Sequence, residues 1–89
     1  MNAKIEMPKY KCHKEVWALK IRMVKQQDPH DGSAFLEIED DGYAPIFVDR
    51  EYMDKHKPES GGYYVVYKDY YKSFSPAIAF EEGYSRCDA

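Results

Sequence analysis

Five side chains in this sequence have the chemistry of metal ligands: Cys12, His13, His30, His56 and Cys87. Structural zinc sites usually show a pair of ligands separated by two to four residues, and no two of these five have that spacing. Cys12 and His13 are adjacent, so in a strand their side chains would point to opposite faces. We therefore predict no metal site, and we interpret Cys12 as a small core residue.

Residues that could catalyse a reaction are equally sparse. His30-Asp31 could be a general base with an orienting carboxylate, but it lies in a loop between a proline and a glycine, where both types are common in turns. Ser75 precedes a proline, which favours a helix cap over a nucleophile. Gly61-Gly62 precedes a predicted strand, whereas a phosphate-binding loop would precede a helix. The sequence therefore predicts a protein that is not an enzyme and holds no cofactor.

The composition restricts the class of protein further. With 89 residues the chain has room for one domain, and its formal net charge of −3 argues against general nucleic-acid binding. No apolar run is long enough to cross a membrane, and the N-terminal stretch lacks the apolar centre of a signal peptide. We therefore expect an intracellular protein, without a membrane partner, whose two cysteines stay reduced.

Hydrophobic periodicity predicts the elements of the first part of the chain. Residues 1–9 form a polar leader that we expect to be poorly ordered, followed by a single domain over residues 10–89. Over residues 14–24 a period of two favours a strand, although the many helix formers there leave a helix as the competing interpretation. The predicted apolar face of this strand consists of Trp17, Leu19, Ile21 and Met23, with a bulge or break near Glu15-Val16.

The middle of the chain alternates strands, a turn and a helix. Ala34, Leu36 and Ile38 alternate with more polar residues and predict a half-buried strand, and Asp40-Asp41-Gly42 predicts a turn. Residues 43–48 predict another strand, in which a proline marks the edge of the sheet or the start of the strand. A helix follows, with an aspartate at position 49 as its cap and an end near position 56 or 57.

Residues 61–84 predict a hairpin followed by a second helix. Strands over residues 63–67 and 71–74 would be joined by a tight connection at positions 68–70. Ser75 would cap the helix, Pro76 would occupy its first position, and Gly83 would end it. A short last strand over residues 84–87 is also expected. The fold class is therefore α+β, with about five short, mostly antiparallel strands in a sheet that could curl, and two short helices.

Several of these segments resemble a known group of proteins. The sequences HKP, GGYYVVY and SFSPAIAFEEGY, together with KYKCHKEVWALKI near the start, are similar to a family of small uncharacterised proteins of tailed bacteriophages and prophages. The resemblance implies a phage gene expressed in the cytoplasm of a bacterial host, and it brings no activity with it. Family members usually carry Asp-Gly at the hairpin turn. Tyr70 follows Asp69 here, which argues against a type I′ turn because tyrosine resists a positive φ.

Tyrosine is the unusual component of this sequence, with nine residues, five of them at positions 63–71. Tyr63 and Tyr64 point to opposite faces of one strand, so both faces are aromatic. Two short helices would not cover both faces, and we expect either a curled sheet or a face that meets another chain. The predicted partner-binding residues are Tyr43, Tyr63, Tyr64, Tyr70, Tyr71, Asp40 and Asp41.

The function predicted from these patterns is binding. The first hypothesis is a phage accessory protein that occludes a host protein, as in host takeover or counter-defence, with the acidic turn at the rim of the interface. The second is a structural or assembly protein of the virion, in which the same surface forms a homo-oligomer such as a homodimer. A third is the binding of a small ligand in a pocket.

Overall fold

The computed structural model describes residues 8, 15–26, 28 and 30–84. Over these residues the chain forms one antiparallel five-stranded sheet, curled into a half-barrel, with two helices. The elements in chain order are β1 (Trp17–Lys25), β2 (Ala34–Ile38), β3 (Ile46–Val48), α1 (Arg50–His56), β4 (Tyr63–Val66), β5 (Lys72–Ser75) and α2 (Ala77–Gly83). The predicted α+β class is confirmed. The predicted leader, apart from residue 8, and the predicted last strand beyond residue 84 lie outside the described residues.

Strand β1 is the centre of the sheet, whose order is β3-β2-β1-β4-β5. The first half of β1 pairs with β4, with Trp17 opposite Val66, and the second half pairs with β2, with Lys25 opposite Phe35. The two halves of β1 thus pair with different strands, and the sheet is curled around β1. A curled sheet was one of the two alternatives predicted from the sequence. The preference for a strand over a helix in this segment is confirmed.

A bulge in β1 changes which of its side chains face the core. The register shifts between Ile21, which pairs with Ile38, and Met23, which pairs with Glu37. An extra residue reverses the alternation of a strand. Val24 consequently packs against the core while Met23 is 45% exposed. The predicted uninterrupted odd-numbered face is therefore wrong beyond Ile21. The bulge or break expected near positions 15 and 16 falls just before the start of β1 at Trp17, and most of the segment before it lies outside the described residues.

The core lies between α1 and the inner face of the sheet. Ile21 and Leu36 are fully buried, and burying such a side chain contributes about 1.5–3 kcal/mol. The cluster around them comprises Ala34, Ile38, Val48, Tyr52 and Tyr64. The alternation predicted for residues 34–38 is confirmed, since Ala34, Leu36 and Ile38 are all buried.

Helix α1 agrees with the sequence, whereas the edge strand β3 covers Ile46–Val48 and is shorter than the predicted strand over residues 43–48. The turn at positions 40–42 contains Gly42 with a φ of 92°, and Pro45 directly precedes β3 at the edge of the sheet. The side chain of Asp49 accepts a hydrogen bond of 2.9 Å from the N–H of Tyr52 and caps α1. Lys57, with a φ of 47°, ends the helix in the left-handed region, and a proline follows.

Residues 67–71 connect the two strands of the β4–β5 hairpin. The N–H of Tyr70 donates to the carbonyl of Tyr67 at 2.8 Å, and the carboxylate of Asp69 accepts from the N–H of Tyr71 at 3.1 Å. Within the connection only Tyr70 has a positive φ, of 69°. A type I′ turn needs two such residues, so the argument against that turn is confirmed. Tyrosine nevertheless adopts the left-handed conformation here.

Helix α2 exists, but its ends differ from the prediction. Ser75 is the last residue of β5, and Pro76 takes the cap position without any side-chain hydrogen bond to the helix amides. Gly83 is the last helical residue, and it does not have a positive φ. Tyr84 follows in an extended conformation, with a φ of −133°.

Candidate functional site

Helices cover the two faces of β4 separately. Tyr64 faces inward, where its ring lies 6.0 Å from that of Tyr52 on α1. Tyr63 faces the other way and stacks on Phe80 of α2, with the ring centroids 4.2 Å apart. Phe80 in turn stacks on Tyr84 at 4.7 Å. The expectation that two short helices would leave one whole face of this strand uncovered is therefore wrong, because α1 and α2 pack on opposite sides.

Beside α2 the surface forms a groove of about 750 Å³, which we call the aromatic groove. It lies where the beginning of β1, the β4 side of the sheet, the turn before β3 and helix α2 meet. Its lining is a mixture of aromatic, aliphatic and charged side chains: Glu15, Val16, Trp17, Ala18, Leu19, Lys20, Asp40, Tyr43, Tyr63, Lys68, Phe80, Glu81 and Tyr84.

Two exposed aromatic side chains distinguish the groove from an ordinary surface depression. Trp17 is 61% exposed at the first position of β1, and Tyr43 is 56% exposed after the turn that contains Gly42. Large aromatic side chains contribute most when they are buried, and exposed pairs beside a concave surface are typical of binding sites. The aromatic groove is therefore the candidate functional site.

The floor of the groove is held in place by a polar network centred on Glu81. Its Oε2 accepts a hydrogen bond of 2.8 Å from the hydroxyl of Tyr63 and lies 3.3 Å from Nζ of Lys20. The hydrogen bonds from Tyr63 and Lys20 lower the pKa of the Glu81 carboxyl, and the bond to Glu81 raises the pKa of Lys20. Lys20 also lies 5.6 Å from the centre of the Tyr63 ring. These contacts fix the positions of α2 and β1 relative to each other.

The potential metal ligands named from the sequence do not form a cluster in the part of the chain that the structure describes. Within residues 8, 15–26, 28 and 30–84, no group of three potential metal ligands is found, and Cys12, His13 and Cys87 lie outside these residues. His30 is exposed, and its N–H donates to the Asp28 carboxylate at 2.9 Å, which is an ordinary turn interaction. Among the described helices none has the length and apolar character needed to span a membrane.

The predicted partner-binding residues occupy three different places. Asp40, Tyr43 and Tyr63 come together in the aromatic groove, and Asp41 is exposed in the adjoining turn. Tyr64 is buried in the core, so we leave it out of any proposed surface. The remaining two, Tyr70 and Tyr71, lie at the tip of the β4–β5 hairpin.

The hairpin tip forms a second aromatic cluster on the α1 side of the sheet. Tyr71 stacks on Tyr67 at 5.9 Å, and its hydroxyl lies 3.4 Å from Nε2 of His56. Nζ of Lys55 lies 5.0 Å from the Tyr71 ring. Partial burial, followed by the charge of Lys55, lowers the pKa of His56. This cluster joins α1 to the hairpin.

Trp17, Phe80 and Tyr84 are groove residues that the sequence interpretation missed. Trp17 was predicted to belong to the apolar face of β1. It is exposed because it is the first residue of that strand, at the end of the curled sheet. The four-residue spacing of Phe80 and Tyr84 was the available signal for their contact, although Tyr84 follows α2 in an extended conformation and does not lie on the helix.

The fold is that of a small α+β domain with a groove beside α2, and comparison with known proteins adds a specific likeness. A structure solved in solution by NMR, the monomeric form of the phage L decoration protein, is similar to this chain with a TM-score of 0.64 and 30% sequence identity. The match covers 94% of this chain and 62% of that protein, so this chain spans less than two thirds of its length. No family model matches the sequence, and no curated protein matches it.

This likeness is consistent with the phage context that the sequence resemblance implied. It fits a structural protein of a phage better than a protein of host takeover, so it favours the second hypothesis from the sequence over the first. It is also consistent with a protein that catalyses no reaction.

Proposed function

We propose that this chain is a structural protein of a phage particle, which binds to the assembled particle in the manner of a decoration protein and catalyses no reaction. The observation that carries the proposal is the likeness to the phage L decoration protein, which extends over 94% of the chain at 30% identity. A similarity of that extent covers most of the chain rather than one shared motif.

The surface of the domain supports a binding role. Five large apolar side chains are more than half exposed: Trp17, Tyr43, Phe47, Tyr70 and Ile78. A small domain needs most of its apolar side chains to build a core, so their exposure suggests another use for them. Exposed aromatic side chains of this kind are common where a protein contacts another protein. Occlusion of a host protein, the first hypothesis from the sequence, would use the same surface but has no comparable support.

The proposal is tested by separating particles from free protein. Phage particles are purified by density-gradient centrifugation from cells infected with the phage that encodes the chain, and their proteins are quantified by mass spectrometry. The expected result is many copies of the chain per particle and none in particles made without the gene. Addition of the purified protein should restore those copies to the deficient particles. Recovery of the chain only in the soluble fraction, bound to a host protein, would overturn the proposal and restore the first hypothesis.

A further inference from the structure

We propose that the aromatic groove binds a basic segment of a partner polypeptide, in which a lysine or arginine side chain contacts Trp17 and Tyr43. The inference deepens the proposed function, since within a phage particle the segment would belong to another particle protein. It depends on the proposed function only for the identity of that partner.

The charges around the groove favour a cationic occupant. Lys20 is engaged by Glu81 at 3.3 Å, so its charge is already balanced. Asp40 and Glu15 have no salt bridge to any described residue. Apart from the pair Lys20–Glu81, the lining seen over residues 15–84 therefore carries two negative charges, on Glu15 and Asp40, and one positive charge, on Lys68.

The neighbouring carboxylates act on the floor of the groove in the same sense. The hydrogen bond to Glu81 is the main cause of the raised pKa of both Lys20 and Tyr63, and the charges of Glu39 and Asp40 add smaller shifts in the same direction. Asp40 itself lines the groove. A nucleic acid or an acidic polypeptide would be repelled by this arrangement, whereas a lysine or arginine would be attracted by it.

The exposed aromatic rings match the same ligand. Cations bind over the faces of tryptophan and tyrosine, and tryptophan is the stronger partner. Trp17 is the sole tryptophan of the chain and is 61% exposed. A groove of about 750 Å³ lies within the range of pockets that hold ligands of roughly 300–1,000 Å³, so it can take a few residues of an extended chain. Apolar side chains of that segment would contact Phe80 and Leu19.

Because Trp17 is the only tryptophan, its fluorescence reports on the groove directly. The full-length protein is titrated with four eight-residue peptides that share the same apolar residues and carry two arginines, two lysines, two glutamines or two glutamates. The arginine and lysine peptides are expected to shift the Trp17 emission and to bind at least about tenfold more tightly than the glutamate peptide, with affinity that falls as salt is added. A neutral oligosaccharide is titrated in parallel.

Two matched variants locate the interaction. Asp40→Asn should weaken binding of the arginine peptide at least about threefold. Asp54→Asn removes the same charge from α1, where the carboxylate lies 3.8 Å from Arg50, and should leave binding unchanged. Equal binding of all four peptides, no binding, equal effects of the two variants, or binding of the oligosaccharide alone would each overturn the inference. If peptide binding fails while the chain is still recovered in particles, the proposed function stands and this groove is not its contact surface.

Discussion

At the scale of single residues, Gly62 is the position where the fold leaves no room for a side chain. A Cβ at this position would lie 2.4 Å from a ring carbon of Phe74 and 2.9 Å from the carbonyl oxygen of Ser75. Gly62→Ala should therefore lower the free energy of unfolding by about 1–3 kcal/mol, the usual cost of overpacking. Urea denaturation measures it.

The control for that substitution is Gly83→Ala. No atom lies within 4 Å of a Cβ built there, and the residue is helical, so the change should be neutral or stabilise the protein by up to about 1 kcal/mol. A loss of stability as large as that of Gly62→Ala would contradict the packing described for β4 and β5.

Tyr70 carries backbone strain that a substitution can relieve. Its φ is 69° and its side chain is 77% exposed, so little packing is lost when it is replaced. Tyr70→Gly should raise the free energy of unfolding by roughly 0.5–1 kcal/mol, because glycine reaches the left-handed region without steric cost. Tyr70→Ala, which removes the same ring but keeps the strain, should give no gain. Equal stabilities of the two variants would show that the connection is not strained.

At the scale of secondary-structure elements, a few polar contacts join one element to another. One of these, shorter than the side-chain hydrogen bonds described above, joins α1 to β5. The hydroxyl of Tyr52 donates to the carbonyl of Ser73 at 2.6 Å in a partly buried position, and burial raises the pKa of this phenol. Tyr52→Phe should lower the free energy of unfolding by about 1 kcal/mol, since it removes one hydrogen bond in a partly buried position. Tyr63→Phe, at a more exposed hydroxyl, should cost less. The reverse order would contradict the assignment of Tyr52 to the core.

The network on Glu81 predicts how stability depends on pH. Hydrogen bonds from Tyr63 and Lys20 lower the pKa of Glu81 below the ordinary value of 4.5. The unfolded chain therefore binds a proton more readily than the folded one, and the stabilisation present above pH 4.5 is lost as the pH falls through the lowered value. The side chain is half exposed, so the effect is small. In Glu81→Gln the melting temperature should fall less between pH 6 and pH 3 than it does in the wild type. An equal fall in both proteins would contradict the network.

The sequence predicted elements better than it predicted their boundaries and faces. Helix α1 was predicted well because its cap, its charged ends and the following proline are all local signals. The bulge between Ile21 and Met23 was not predicted because it depends on pairing with β2, which lies more than ten residues away. Ser75 was assigned to a cap although it pairs with Tyr63 in the sheet, a contact between residues that no local pattern shows.

At the scale of the whole molecule, curling of the sheet decides which aromatic residues are exposed. The sequence indicated correctly that Tyr63 and Tyr64 face opposite ways, but not that α1 and α2 would take one face each. The candidate site is therefore not the tyrosine face predicted from the sequence. It is a groove lined by Trp17, Tyr43 and side chains of α2. Three of the predicted residues lie in it because they surround the start of β4. Self-association, as in a homodimer, stays a prediction.

The central claim, that the chain is part of a phage particle, is tested most directly by counting its copies on particles. Particles that lack the protein are incubated with increasing amounts of it, separated from the free protein by sedimentation, and analysed for bound chains. A structural role predicts binding that saturates at a fixed, reproducible number of copies per particle. Binding that never saturates, or no binding above the level seen with the denatured chain, would contradict the claim.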